Sequence, residues 1–225
     1  MPNYCSNALK VTGPGNEAFI ERALKAVGLF QEFYPMPDAL VGRTWMSDGK
    51  DYFMPESERP EGSKDLWGWW PEDREQWLYT PEMQRANTEK YGAKDWYDWH
   101  CKYWGTKWDT QATQVEDSLL FRTAWSPPKP WLIKVSQDFP DLVFHLAYVE
   151  IGMEFYGELM VRNGGDVWEN TDDSDLFWET TPDWDRLDQV WDEKGEVAYY
   201  QERNSHLSPR LKQLLSDYHI TDLGG

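Results

Sequence analysis

Hydrophobic periodicity, and the order in which it changes, constrains this chain most. Residues Asn3–Thr12 alternate, with Cys5, Leu9 and Val11 on one side, the two-residue period of a strand. After the Gly13-Pro14-Gly15 turn, Asn16 stands at a helix N-cap position. The helix that follows has Phe19, Ile20, Ala23, Leu24 and Val27 on its apolar face and stops at Gly28. Two strand-like runs, Lys107–Thr113 and Asp117–Trp125, come much later. Ser126-Pro127 then opens a helix with Trp131, Leu132, Val135 and Phe139 inward, closed by Pro140. Leu142–Val149 and Met153–Val161 read as two more strands joined by the short Glu150-Ile151-Gly152 turn. The order is β-α-insertion-β-β-α-β-β. With the insertion set aside, this is the split βαβ order of a ferredoxin-like α+β sandwich.

The insertion, about residues 29–104, is irregular and rich in proline, tryptophan and charge, with one helix expected from Thr80-Pro81-Glu82 towards Tyr91. A structureless loop of that length is unusual in a compact domain, so aromatic anchoring is expected. It leads into Asp95–Asp109, DWYDWHCKYWGTKWD, which holds four of the chain's fifteen tryptophans. Trp96, Trp99, His100 and Tyr103 fall at i, i+3, i+4 and i+7, the spacing of a helix that ends near Gly105. In the GTKW step that follows, Gly105 permits a sharp turn, and Trp104 and Trp108 bracket the cation Lys107. A pocket of Trp104, Lys107, Trp108 and Arg122 would hold a nucleotide-like ligand by stacking and charge. A tryptophan-lined junction between helix and sheet uses the same residue types.

Residues 166–225 differ from the ferredoxin-like part, residues 1–165, and read as an acidic, partly helical extension packed on it. Asp166–Glu196 carries twelve acids against two bases, so a net −10 of the chain's −18 lies in one segment. Trp168, Phe177, Trp178, Trp184, Leu187 and Trp191 give it the apolar anchors that disordered acidic tracts lack. One helix is expected from Thr181-Pro182-Asp183, with Trp184, Leu187 and Trp191 on one face, and another from Ser208-Pro209, burying Leu211, Leu214, Leu215 and Tyr218. Carboxylates on a rigid surface can occupy a groove built for phosphates. The expected partner-binding surface is therefore Asp166, Glu169, Asp172, Asp173, Asp175, Glu179, Asp183 and Asp185.

The charge of −18 and a pI near 4.5 make free nucleic acid and anionic membranes poor partners. Cys5 and Cys101 are too few for a disulfide scaffold and are expected as reduced core thiols. His100, His145, His206 and His219 are scattered, without HExxH or CxxC spacing, so no metal site is expected. GxSxG, Walker and GxGxxG motifs are missing from the sequence, and no catalytic residue or cofactor is expected. Glu150 and Glu154 flank a turn, but paired carboxylates carry little information in a chain with forty acids. The N-terminus lacks the charged and apolar regions of a secretory leader, and no stretch has the length of a membrane span, so a cytoplasmic location is expected.

Four blocks in order, MPNYCSNALKVTG, WHCKYWGTKWD, FRTAWSPPKP and FPDLVFHLAYVEIGMEFYG, resemble the YubB-like family. These are uncharacterised proteins of bacteriophages, prophages and conjugative plasmids with a ferredoxin-like domain. Tyr4 stands where the family has a tryptophan, and Tyr103 where it has an asparagine. The resemblance covers most of residues 1–160 and implies the fold and a mobile-element origin, with no catalytic residue to carry over. By analogy, such an origin implies a non-enzymatic inhibitor of a basic, nucleic-acid-binding host defence protein, of anti-CRISPR or anti-restriction type. A small-ligand binder or enzyme with a Trp/Lys pocket, and a phage structural or assembly protein, are the alternatives.

Overall fold

Strand β1, Tyr4–Thr12, is the centre around which the computed structural model is built. The structure describes residues 3–40, 43–45, 51–53, 81–172 and 177–221. β1 has a strand on each side, β5 (Ser118–Ala124) and β6 (Val143–Glu150), both antiparallel to it. Outside β5 lies the three-residue β4, Thr113–Val115, and outside β6 lie β7, Phe155–Arg162, and β8, Gly165–Asp172. The six-stranded order is β4-β5-β1-β6-β7-β8, every neighbour antiparallel. Strands β4-β5-β1-β6 are the ferredoxin-like four, in which β1 lies between β5 and β6 and the connection from β5 to β6 crosses over it, and β7 and β8 extend the sheet.

That crossover is helix α5, Lys129–Asp138, and the one after β1 is α1, Asn16–Lys25. Trp131, Leu132 and Val135 are fully buried on one sheet face, where Phe19 and Ala23 join Cys5, Leu9 and Val11 in a single core. The helix α1 is shorter than its apolar pattern suggests: it ends at Lys25, leaving Val27 88% exposed and Leu24 at the margin. The expected strand at Lys107–Thr113 does not form. The chain there bends and reaches β4 only at Thr113, because His100 holds the Lys107 carbonyl, the Leu29 N–H donates to the Thr110 carbonyl, and the Asp109 carboxylate accepts from Phe30 and Gln31.

The insertion supplies part of the main core. Helix α2, Leu29–Phe33, buries Leu29, Phe30 and Phe33, and Met36 and Leu40 follow it inward. β2, Arg43–Trp45, and β3, Asp51–Phe53, pair as a small separate sheet. Helix α3, Pro81–Tyr91, forms where expected, and α4, Trp96–Trp99, continues into a turn of π-helix, His100–Trp104.

The other sheet face is covered by the C-terminal part. The division expected at residue 165 falls at the start of β8, a strand that polar residues concealed. Helix α6, Trp184–Lys194, follows, then α7, Glu196–Ser205, and α8, Pro209–Asp217. Phe177, Leu207, Leu211, Leu214 and Tyr218 close over Ala8, Ala147, Val149 and Tyr156 as a second core. In α6 the buried residues are Leu187 and Val190, whereas Trp184 and Trp191, expected on one face with Leu187 as apolar anchors, are exposed. They sit at the edge of the helix's apolar stripe, where Trp184 meets the Trp178 ring and Trp191 the rings of Tyr199 and Tyr200.

Asp109 fastens the insertion to this frame. Its carboxylate accepts the backbone N–H groups of Phe30 (2.7 Å) and Gln31 (3.0 Å), donors that the first turn of α2 would leave bare. Gly28 makes room for it, since a Cβ there would lie 2.2 Å from the Asp109 carboxylate. Asp109→Ala strands both donors and is expected to cost about 1–3 kcal/mol. Urea denaturation checks this as a lowered midpoint at unchanged slope, with Asp109→Asn losing less.

Candidate functional site

The aromatic segment ends in a turn held from three sides. His100 stacks on Trp104 with ring centroids 3.9 Å apart and planes 16° from parallel. Its Nδ1 lies 2.8 Å from the Lys107 carbonyl, which can only accept, so Nδ1 carries the proton. Ser126 Oγ donates to the Gly105 carbonyl at 2.8 Å, and the Ala124 N–H donates to Thr106 Oγ1 at 2.8 Å. Gly105 itself has φ +80°, and a Cβ there would lie 2.6 Å from the Pro130 ring. The backbone of Lys107 and Trp108 is thereby set before any ligand arrives.

Trp104 leaves the expected pocket. It is 1% exposed, its indole N–H donates to the Tyr34 carbonyl at 2.9 Å, and Phe30 and Trp99 pack on it, so it faces no ligand. Sequence periodicity held the signal: Trp104 stands four residues after His100 and eight after Trp96, on one helical stripe. The other three residues do come together. Lys107 Nζ lies 5.1 Å from the Trp108 ring centroid and 5.7 Å from that of Trp125. Arg122 lies over Tyr4 at 5.5 Å, and Tyr4 meets Trp108 at 6.4 Å. Tyr4 and Trp125 are members that sequence reasoning missed: Tyr4 lies far from the others in sequence and is brought in by the β1–β5 pairing, Tyr4 opposite Ala124, while Trp125 follows directly on the end of β5.

The acidic residues are divided. Asp173 and Asp175 lie outside the described residues, and Asp166 and Asp172 stand in β8. Glu169 is paired with Lys129 at 2.6 Å, and Glu179 lies 3.7 Å from Lys212. Asp183 caps α6 by accepting the Arg186 N–H. Asp185 is exposed, and with it on the outer side of α6 stand Asp188, Asp192 and Glu193, none of which the expected site named. These four make no ion pair among the described residues. Arg186, the base among them, is turned to Glu202 at 2.6 Å.

Other candidate chemistry is accounted for structurally. Glu150 is buried and accepts the N–H groups of Gly152 (2.9 Å) and Met153, holding the β6–β7 turn. Cys5 and Cys101 are unbridged, and burial pushes both thiols up, away from the reactive thiolate. Among the described residues no group of three His, Cys, Asp or Glu side chains is placed to hold a metal ion, and no helix is long and apolar enough to cross a membrane.

With the fold and this geometry described, comparison with known proteins adds one domain assignment. The family model described as the ferredoxin-like domain in Api92-like protein matches residues 103–193, from the π-helical turn through α6. The crystal structure of protein api92 from Yersinia pseudotuberculosis aligns with 81% of this chain and 100% of its own, at 13% identity and a TM-score of 0.38. A search of the curated proteins finds no match.

His100 carries a pH dependence. Burial pushes its pKa down to about 4 from 6.5, against the opposing bond to Lys107. Its Nε2 is buried without a partner, so protonation would place an uncompensated charge in the core. The unfolded chain binds this proton from pH 6.5 downward and the folded chain only near 4. The stability is therefore complete above pH 6.5 and falls as pH drops towards 4, by ~3 kcal/mol. In His100→Phe the dependence of unfolding free energy on pH across that window is expected to flatten by close to one proton, measured by urea denaturation at a series of pH values.

Proposed function

We propose that the protein is a non-enzymatic inhibitor of mobile-element origin, phage or plasmid, that docks on a basic host protein through α6. The partner is a nucleic-acid-binding defence component of the bacterial cytoplasm, and the carboxylates take the place its groove gives to phosphates. The observation that carries this reading is the outer side of α6. Trp184 and Trp191 are 45% and 44% exposed there, beside Asp188, with Asp192 and Asp185 next around the helix. Residues 184, 188 and 191 share one helical stripe and 185, 188 and 192 the next, so the two indoles border a continuous row of acids.

Half-exposed tryptophans are costly in water and are the residue type that most often anchors a protein interface. Acids around such anchors favour a basic partner and speed its encounter. The resemblance of residues 1–160 to YubB-like phage and plasmid proteins supports the origin, and the net charge of −18 supports the sign of the partner.

Purified CRISPR effectors, restriction enzymes and nucleoid proteins are the partners to titrate, each with its own nucleic acid as competitor and across a salt series. At least one is expected to bind, to lose its nucleic acid, and to bind more weakly as salt rises. Trp184→Ala with Trp191→Ala is expected to weaken binding about 30-fold or more. Asp185→Asn, Asp188→Asn and Asp192→Asn together are expected to slow association while leaving dissociation nearly unchanged. Binding that ignores all five substitutions, or a panel in which no basic protein binds, overturns the reading.

A further inference from the structure

The opposite chemistry is gathered at the start of β1. We propose that Tyr4, Lys107, Trp108, Arg122 and Trp125 form a binding site for a small phosphorylated planar ring, a free nucleoside monophosphate. On a chain of net charge −18, two cations stand together among three aromatic rings. Lys107 makes no ion pair among the described residues. An aromatic cage for a cationic ligand is excluded by its own contents, because the Lys107 ammonium already lies against the Trp108 and Trp125 rings. The charge left to satisfy is therefore negative, and the surface beside it is aromatic, with Trp125 exposed and Tyr4 and Trp108 half-buried.

Trp125 gives the independent argument. Its φ is +68°, a left-handed conformation that a bulky side chain rarely adopts, and its N–H is held by the Asn3 carbonyl at 2.9 Å. Strain at a buried residue is repaid by packing, but this ring is 39% exposed. Glycine or asparagine would serve the turn better, so the indole stands there for what it presents to solvent. Arg122 also borders a cavity of about 430 Å³ walled by the hydroxyl-bearing Ser6, Thr110 and Thr113 and by apolar Leu120. A sugar needs that mixture of hydroxyl partners and apolar floor.

The site is separate from α6, so its failure leaves the proposed docking reading untouched. Isothermal titration of the full chain with AMP, GMP, CMP and UMP tests it, with inorganic phosphate, adenosine and an oligothymidylate as separate arms. At least one monophosphate is expected to bind about tenfold or more tighter than phosphate or adenosine alone, since ring stacking and charge act together. Trp125→Gly is expected to weaken that binding about tenfold while the thermal midpoint stays level or rises, a combination that a packing role would not produce. Lys107→Ala is expected to weaken the monophosphates and leave adenosine unchanged. No monophosphate binding by the folded chain, Trp125→Gly that lowers the midpoint without changing affinity, or tighter binding of the oligothymidylate than of any monophosphate overturns the proposal.

Discussion

The indole of Trp104 is the point at which the insertion, the π-helical turn and the sandwich core meet. Its N–H is given to Tyr34, at the far side of the insertion, its face to His100, and its edges to Phe30 and Trp99. A buried indole N–H needs such a partner, and here the partner lies seventy residues away, so one hydrogen bond joins segments that no strand pairing connects. The π-helical turn is the local consequence. The extra residue in the turn lets His100 and Trp104 stack and brings the Gly105 N–H to the His100 carbonyl at 3.0 Å. Everything after Gly105, including the presentation of Lys107 and Trp108, inherits that geometry.

Two surfaces of opposite character result. β1 is buried along nearly its whole length because both sheet faces are covered, by α1 and α5 on one side and by α8 and its neighbours on the other. The C-terminal part covers the second face with Leu207, Leu211 and Leu214, and so turns the acidic side of α6 outward. At the other end, the covering stops short of Tyr4 and Arg122, where the cations and rings stay accessible. Charge is thus segregated on the molecule by the packing of apolar residues, not by the acids themselves.

The core strands and α5 were legible because their apolar residues follow a clean period: Trp131, Leu132 and Val135 at helical spacing, and β6 as a near-continuous apolar run. β8 was hidden for the converse reason. It is an edge strand whose described side chains are largely exposed, so GDVWENTD carries charge where an inner strand carries valine. In α6 the tryptophans outweighed the smaller Leu187 and Val190 in any reading of its apolar face, yet the narrower residues fit the seam. Lys107–Thr113 alternates like a strand, and the bonds from His100 to the Lys107 carbonyl and from the Leu29 N–H to the Thr110 carbonyl keep it bent.

By itself the sequence determined the ferredoxin-like order of elements, the helix ends at Gly105 and Ser208, and the acidity of the C-terminal third, because each depends on neighbours within a few residues. Outside α5, whose period already placed Trp131 inward, tertiary structure alone decided which tryptophans are inside. Trp104 is buried and Trp125, Trp184 and Trp191 are not, although all four are the same residue in similar company. Burial depends on which distant segment arrives to cover a ring, and only strand pairing and the closure of two cores bring those segments together.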